Sequence, residues 1–219
     1  TAVVGPTDVE VSGLADDSRR VGGGDVFVAV RGGEVDGHLL VAKAVEAGAV
    51  AVVAEERAPA DLKEGVAWVM VPDSREALAL LANRWNGNPS SAMRVVGVTG
   101  TNGKTTTAFL LHHLMKRTLH RAGLIGTVMT DDGERHETSA LTTPGTLEVQ
   151  SLLGRMRDNG CQGVAMEVSS IGLEQGRTDS VAFDAAIFTN LTQDHLDYHK
   201  TMDRYFESKR ILFEQLASR

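Results

Sequence analysis

The chain has little of what marks a secreted, membrane-bound or nucleic-acid-binding protein. It contains one cysteine, Cys161, which excludes an internal disulfide framework and predicts a reducing, cytoplasmic environment. No apolar run reaches transmembrane length, so a membrane partner is not expected. Lysine and arginine number 22 against 29 aspartates and glutamates, so the formal net charge is −7. This negative charge disfavours a nucleic-acid partner.

Aromatic residues make up only 5% of the chain, whereas glycine is abundant with 23 residues. This composition is typical of α/β proteins with many tight turns. Cys161 leads into an apolar run and is interpreted as a small core residue, with a nucleophile as the alternative.

Short apolar runs alternate with helically spaced segments in the first part of the chain. Strands are predicted at 25–30, 48–54 and 67–71. Helices are predicted at 37–47 and from a cap at Asp73 or Ser74 through Trp85. Because 86–91 is rich in Asn, Gly, Pro and Ser, it predicts a linker, and we expect a small α/β domain at 1–87.

The remaining residues, 88–219, predict a second domain of repeated strand–helix units. Strands are predicted from Val95 and at 124–129, 163–168 and 183–189. Helices are predicted after the Val95 strand, from a Thr146 cap, and at 202–216. This alternation predicts an α/β fold with a mainly parallel, doubly wound sheet, whose ligands gather beyond the carboxyl ends of the strands.

The segment Thr99-Gly100-Thr101-Asn102-Gly103-Lys104-Thr105-Thr106 predicts a phosphate-binding loop between a strand and a helix. Glycines let backbone N–H groups approach an anion, the helix N-terminus and Lys104 attract it, and the Thr105 hydroxyl suits Mg²⁺. The spacing departs from G-x-x-x-x-G-K-[ST], because the first glycine would fall at Val98. An alternative therefore stays open, a turn in which Gly and Asn only supply positive φ.

This loop resembles the ATP loop of the Mur ligase superfamily. Folylpolyglutamate synthases share most of it but usually have Gly-Ser after the lysine, so Thr105-Thr106 favours the Mur side. Further segments resemble MurE-type Mur ligases in the expected order along nearly the whole chain. They are Asp17-Ser18-Arg19-Arg20, Leu141-Thr142-Thr143-Pro144-Gly145, Glu167-Val168-Ser169-Ser170, Asp194-His195-Leu196-Asp197-Tyr198-His199, and the helix with Tyr205, Phe206 and Lys209.

The resemblance implies a set of site residues. Those placed against ATP are Thr99, Gly100, Thr101, Asn102, Gly103, Lys104, Thr105, Thr106 and Asn190. The implied Mg²⁺ ligands are Thr105, Glu167, His195 and Lys209, the last as a carbamate formed with CO₂. The implied contacts to the UDP-linked precursor are Ser18, Thr142, Thr143, Ser169, Gln175 and Arg177. The implied catalytic residues are Lys104, His195 and Lys209.

Simpler interpretations of these residues stay open. Ser18 also fits a solvated turn, and the threonines before the Thr146 helix also fit capping groups. Glu167 also fits an exposed strand end. His195 and His199 stand at zinc-ligand spacing, but HExxH is absent and His199 is interpreted as a packing or surface residue. Lys209 lies near an apolar helix face, where it would either extend its amine to solvent or be desolvated with a lowered pKa.

The implied reaction is ATP-dependent amide formation on UDP-N-acetylmuramoyl-L-alanyl-D-glutamate, in peptidoglycan precursor synthesis. The D-Glu carboxylate attacks the γ-phosphate to form an acyl phosphate, and a diamino acid, diaminopimelate or lysine, displaces phosphate. Such chemistry depends on charge neutralisation more than on covalent catalysis. A monomer is expected.

Compared with the family pattern, the chain is expected to be incomplete. It would comprise a UDP-precursor-binding domain at 1–87 and part of the ATP-binding domain at 88–219, without the C-terminal amino-acid-binding domain. Alone it is expected to be inactive. Two alternatives to a working ligase follow: a fragment that binds only the UDP-linked precursor, and a folylpolyglutamate synthase-like ligase.

Overall fold

In the computed structural model, which describes residues 1–33 and 35–217, the chain divides into two units, Thr1–Ala82 and Asn83–Arg219. The division falls inside a continuous helix, five residues before the boundary predicted from composition. The predicted linker is a packed part of the second unit. It contains a 3₁₀ helix at Pro89–Ala92, where the buried Ser90 hydroxyl accepts a hydrogen bond of 3.0 Å from the Ala182 N–H. Small polar residues of the predicted linker thus form hydrogen bonds inside the second unit, and the domain boundary at 87 stays a prediction.

The first unit is a five-stranded sheet with flanking helices. Its strands are β1 (Ala2–Val4), β2 (Gly13–Ala15), β3 (Asp25–Val28), β4 (Ala51–Ala54) and β5 (Ala67–Met70). Its helices are α1 (Val41–Glu46), preceded by a 3₁₀ helix at Gly37–Leu40, and α2 (Ser74–Trp85). The sheet order is β1-β5-β4-β3-β2, with β1 antiparallel to β5 and the other neighbours parallel. The sequence patterns missed β1 and β2, which are short.

The apolar runs of the first unit become its core. Phe27, Val52 and Trp68, from three neighbouring strands, are at most 3% exposed and pack together. Asp73 is the cap of α2, because its carboxylate accepts hydrogen bonds from the N–H groups of the second and third helical residues.

The second unit contains one six-stranded sheet. Its strands are β6 (Arg94–Thr99), β7 (Ala122–Ile125), β8 (Met129–Asp131), β9 (His136–Thr138), β10 (Gly163–Glu167) and β11 (Ala185–Phe188). Its helices are α3 (Lys104–Leu119), α4 (Thr146–Asp158), α5 (Ser170–Glu174), α6 (Leu196–His199) and α7 (Met202–Ala217). The order is β11-β6-β10-β7-β8-β9; the first four strands are parallel and the last two antiparallel.

Both faces of the parallel part are covered by helices. On one face Val95 and Val164 pack in a cluster with Leu153 of α4 and Leu212 of α7. On the other face Val98 packs in a cluster with α3. Alternate residues of a strand point to opposite faces, which explains why such strands are apolar throughout. The predicted α/β fold with a mainly parallel, doubly wound sheet is confirmed.

Two local predictions are wrong. The run 124–129 is not one strand: β7 ends at Ile125 and β8 begins at Met129. A side chain on the intervening Gly126 would overlap the Glu167 carboxylate, and the chain bends at the next two residues. Helix α4 begins at Thr146, and its cap is Gly145, without a side-chain hydrogen bond.

Candidate active site

The candidate site begins where β6 ends, in the loop that leads into α3. Gly100 has a φ of 139° and Gly103 a φ of 85°, values that favour glycine. A Cβ on Gly100 would lie 3.0 Å from both the backbone nitrogen and oxygen of Asn190 and would overlap the Thr189 hydroxyl. The backbone at Gly100 therefore packs directly on the segment after β11.

That segment holds the loop in shape. Asn190 Oδ1 accepts from the Asn102 N–H at 3.1 Å, and its Nδ2 donates to the Asn102 carbonyl at 2.9 Å. Thr101 Oγ1 donates to the Thr192 carbonyl at 3.1 Å and accepts from the Thr192 N–H at 3.0 Å. The Thr189 hydroxyl donates to the Asn102 carbonyl at 2.6 Å. Asn190, predicted to contact ATP, thus uses its side chain to order the loop, and its contact with ATP stays a prediction.

Two lysines meet at one loop carbonyl. Lys104 Nζ donates to the carbonyls of Gly100 and Thr101 at 3.0 and 2.9 Å, and Lys209 Nζ donates to Gly100 at 2.8 Å. Lys209 is only 1% exposed, which excludes extension to solvent, and its Nζ lies 4.4 Å from the Tyr205 ring centroid. Burial, and then the charge of Lys104, lower the pKa of Lys209 to about 7. Burial also lowers the pKa of Lys104.

We expect the Lys209 contribution to the free energy of unfolding to rise with pH between about 7 and the ordinary lysine pKa of 10.5. In this interval the unfolded chain binds a proton at Lys209 that the folded chain does not bind. Below about 7 both states are protonated and the contribution is constant. Urea unfolding in CO₂-free buffer would measure it as the difference between the protein and its Lys209→Met variant. A difference that does not change with pH would contradict the low pKa.

Glu167, the last residue of β10, is fully buried, which excludes the exposed strand end. Its Oε2 accepts from the Thr105 hydroxyl at 2.9 Å and from the Thr127 hydroxyl at 3.0 Å. Its Oε1 accepts from the Thr127 N–H at 2.9 Å. These donors replace water around the buried carboxylate. The carboxylate and the Thr105 hydroxyl together provide the oxygen ligands that Mg²⁺ prefers.

His195 occupies the N-terminal cap position of α6 with a φ of 50°, and its side chain is 45% exposed. Its Nε2 lies 3.6 Å from Asp194 Oδ2, and its ring lies 6.1 Å from that of Tyr205. Across residues 1–33 and 35–217, no group of three His, Cys, Asp or Glu side chains is placed to hold a metal ion. The structure thus joins Thr105 to Glu167 directly, and the addition of His195 and Lys209 to the same ligand set stays a prediction.

Arg177 is half-buried and is held by neutral oxygens. Its Nη1 donates to the Thr143 carbonyl at 2.6 Å, and its Nε and Nη2 donate to Gln175 Oε1 at 3.1 and 2.7 Å. Burial lowers its pKa. Within the described part of the chain no carboxylate lies within ion-pair distance of this guanidinium, so its positive charge suits an anionic ligand.

The other predicted precursor contacts of this unit surround the ends of β10 and α5. The buried Thr143 hydroxyl donates to the Glu167 carbonyl at 3.1 Å and accepts from the Ser169 N–H at 2.9 Å. Ser169 caps α5, and its hydroxyl accepts from the Gly172 N–H at 3.1 Å. The Thr142 hydroxyl lies 3.0 Å from Thr127 Oγ1 and donates to it, because the Thr127 proton is used on Glu167. These hydroxyls order the loops, and their contact with a ligand stays a prediction.

Ser18 belongs to the first unit, in the turn after β2, and is half-buried. The neighbouring Arg19 forms an ion pair of 2.7 Å with Asp17 and lowers the pKa of that carboxyl to about 2. The Arg19 guanidinium is therefore already paired. The Ser18 contact stays a prediction.

The sequence reasoning missed several residues that shape this site. They are Thr127, Thr189, Asp194, and Tyr205 as a hydrogen-bond donor. His199, interpreted as a packing or surface residue, is buried and its hydrogen bonds were not foreseen. Thr127 was missed because it lies inside the strand predicted at 124–129, whereas in the structure it follows the end of β7 at Ile125, on the ligand side of the parallel sheet. The tyrosine and histidine roles depend on contacts between helices, which spacing does not reveal.

Residues 98–219 match the family model described as the Mur ligase middle domain, and residues 10–86 match that described as the Mur ligase family, catalytic domain. The chain belongs to the Mur ligase family. The matched segments include the loop at Gly100, Glu167 and Lys209, so the resemblance drawn from the sequence motifs is confirmed.

Individual Mur ligases are similar over nearly the whole chain. The chain is 47% identical over 217 residues to UDP-N-acetylmuramoyl-L-alanyl-D-glutamate--2,6-diaminopimelate ligase of Parabacteroides distasonis, covering 99% of this chain and 44% of that protein. A solved structure of a ligase with the same name has 30% identity and a TM-score of 0.78, covering 93% of this chain and 41% of that chain. MurF ligase from Thermotoga maritima in complex with ADP has 25% identity and a TM-score of 0.59, covering 94% and 43%. The chain spans less than half the length of these relatives.

No helix within the described ranges of this Mur ligase chain is both long and apolar enough to cross a membrane.

Proposed function

We propose that this chain carries the nucleotide-binding and precursor-binding parts of a MurE-type ligase. The ligase would add a diamino acid to UDP-N-acetylmuramoyl-L-alanyl-D-glutamate in an ATP-dependent reaction of peptidoglycan precursor synthesis. The observation that carries the proposal is the meeting of Lys104 and Lys209 at the Gly100 carbonyl, beside the buried Thr105–Glu167 pair. The names of the 47% and 30% identical relatives support the MurE assignment. We also propose a cytoplasmic, monomeric protein.

The residues of the loop fit ATP and Mg²⁺. The loop backbone precedes the 16-residue helix α3, whose N-terminus favours phosphate, and Gly100 and Gly103 keep side chains away from it. Thr105 and Glu167 would hold Mg²⁺. The ADP bound to the Thermotoga MurF supports use of this nucleotide. Bound Mg²⁺ would neutralise charge between the γ-phosphate and the attacking carboxylate.

The remaining proposed roles belong to the chain's own side chains. Lys104 would leave the loop carbonyls and donate to the phosphates, which adds charge stabilisation where negative charge develops. Arg177 would bind an anionic group of the precursor, held in direction by Gln175. The D-Glu carboxylate would attack the γ-phosphate and release ADP, and the amine would then displace phosphate from the acyl phosphate.

Lys209 is proposed to carry a carbamate. Its low pKa, about 7, leaves a large neutral fraction at physiological pH. The nitrogen of the neutral amine would bond to the carbon of CO₂ and release one proton. Together with the proton already lost by the ammonium form, this replaces a buried cation by an anion. That change would replace two repelling ammonium groups at Gly100 by an opposite pair, Lys209 carbamate and Lys104.

Phosphate release tests the proposal. This chain and the full-length protein that contains it would each be mixed with ATP, Mg²⁺ and the UDP-muramoyl-dipeptide, with or without diaminopimelate or lysine. We expect amine-dependent release by the full-length protein, and precursor binding without release by the chain alone. Arg177→Ala should weaken precursor binding about tenfold or more and ATP binding much less. The reason is that the charged hydrogen-bond donor that is lost would contact the precursor and not ATP.

Matched outcomes separate the alternatives. Absence of precursor binding by both proteins would contradict the MurE assignment. Binding without release by the full-length protein would leave a precursor-binding protein and no ligase. An equal loss of precursor and ATP binding in Arg177→Ala would indicate misfolding, which the thermal unfolding of that variant would reveal.

A further inference from the structure

One buried histidine lies outside the predicted set of site residues and connects three helices. His199 ends α6, and its side chain is fully buried. Its Nδ1 lies 3.0 Å from Glu174 Oε2, and its Nε2 lies 2.9 Å from Ser170 Oγ, both in α5. Ser208 of α7 completes the cluster, with its Oγ 3.2 Å from Nδ1 and 3.1 Å from Glu174 Oε2. A single imidazole thus joins α5, α6 and α7.

The hydrogen bonds assign the proton on the ring. The Glu174 carboxylate only accepts, so Nδ1 carries the proton and donates to it. Nε2 is then an acceptor for the Ser170 hydroxyl. Burial lowers the pKa of His199, which favours this neutral form. Both ring nitrogens are satisfied, and the ring has one orientation.

Serine, histidine and carboxylate in this order also form the catalytic triad of hydrolases. That role does not fit here, because Ser170 is 1% exposed and its hydroxyl has no space for a substrate carbonyl. A buried serine–histidine–carboxylate cluster that no substrate can reach can still hold secondary-structure elements together. The role of this cluster is therefore to fix the positions of α5, α6 and α7 relative to one another.

The helices that His199 joins carry different parts of the proposed site. Helix α5 leads directly into Gln175, which orients Arg177. Helix α7 carries Tyr205 and Lys209. The His199 ring lies 5.2 Å from the Tyr205 ring, and Tyr205 in turn donates to Thr101 Oγ1 at 3.2 Å. A continuous chain of contacts thus runs from the Arg177 segment to the phosphate loop.

We propose that His199 is a positioning residue that holds the Gln175–Arg177 segment in register with Lys209 and the phosphate loop, through its hydrogen bonds to Glu174 and Ser170. The inference rests on the proposed function for the ligand that Arg177 binds. The hydrogen bonds of His199 hold α5, which leads into the Gln175–Arg177 segment, whereas the face of its ring packs on Tyr205, which contacts the phosphate loop. Removal of the hydrogen bonds alone should therefore loosen the Gln175–Arg177 segment and leave the phosphate loop in place.

The test uses the full-length protein and three variants. His199→Phe keeps the ring that packs on Tyr205 and removes both hydrogen bonds, and His199→Gln restores one of them. Glu214→Gln lies on α7 outside the His199 cluster, and the Glu214 side chain is 56% exposed. It is the control for a substitution in one of the connected helices that removes none of the His199 hydrogen bonds. Amide hydrogen exchange of 172–177 is measured without ligand, and the dissociation constants of UDP-muramoyl-dipeptide and ATP are measured by calorimetry.

We expect His199→Phe to speed exchange at 172–177 about tenfold and to weaken precursor binding about tenfold, since a lost hydrogen bond contributes roughly this factor. ATP binding should stay within about twofold, because the ring packing remains. His199→Gln should be intermediate, and Glu214→Gln should match the unmodified protein.

Unchanged exchange at 172–177 in His199→Phe would overturn the inference. Equal acceleration in β6 and β10 would also overturn it, because it would show general destabilisation. Absence of precursor binding by the unmodified protein would contradict the proposed function instead. In that case hydrogen exchange would still decide the role of His199.

Discussion

Lys209→Ala is expected to lower phosphate release by the full-length protein by at least about a thousandfold, because groups that neutralise transition-state charge contribute effects of this size. The lysine is 1% exposed and its amine contacts the phosphate-loop carbonyl of Gly100 at 2.8 Å. Alanine removes the nitrogen that would carry the carbamate, so added bicarbonate should not restore activity. Release would be measured at saturating ATP and precursor.

Arg210→Ala is the control for Lys209→Ala. It removes a neighbouring cation from the same helix. The Arg210 side chain is 53% exposed and forms ion pairs with the surface residues Glu207 and Glu214. Surface ion pairs contribute little, so we expect near-normal release. Activity retained in Lys209→Ala would exclude the carbamate role. Equal losses of phosphate release in both variants would mean that any substitution in α7 impairs activity. They would then give no support for a specific role of the Lys209 amine.

Gly100→Ala is expected to abolish ATP binding and to lower the free energy of unfolding by about 3 kcal/mol, from positive φ together with steric overlap. The added Cβ would lie 3.0 Å from the Asn190 backbone and overlap the Thr189 hydroxyl. The segment that holds Asn102 and Thr101 would have to move. Calorimetric titration with ATP and urea unfolding measure the two effects.

Two glycine variants separate the causes. Gly103→Ala has the same positive φ problem, but the nearest atoms, on Thr189, are 3.9 Å away, so we expect a loss of only about 1 kcal/mol. Gly23→Ala, with no atom within 4 Å of the added Cβ and no positive φ, should behave as the unmodified protein. Equal effects of Gly100→Ala and Gly103→Ala would contradict the close approach and leave φ as the only cause.

The sequence predicted elements better than boundaries. Strands such as 163–168 were found because short runs of β-branched and apolar residues are typical of strands that are buried on both faces of a sheet. The strand predicted at 124–129 was too long: β7 ends at Ile125, and the following Gly126 lies against the carboxylate of Glu167, 41 positions later in the chain. The sequence did not reveal that Ser90, in the predicted linker at 86–91, accepts a hydrogen bond from the distant Ala182 N–H.

By itself the sequence determined the alternation of most strands and helices, because periodicity is a local property, and its motifs pointed to the family by resemblance. Only the tertiary structure decided which side chains meet. It brought the amines of Lys104 and Lys209 to the carbonyl of Gly100, which lies 109 positions before Lys209 in the chain. It also placed Glu174 against His199. The physical reason is burial, which changes pKa values and imposes hydrogen bonding only after helices from distant parts of the chain have packed together.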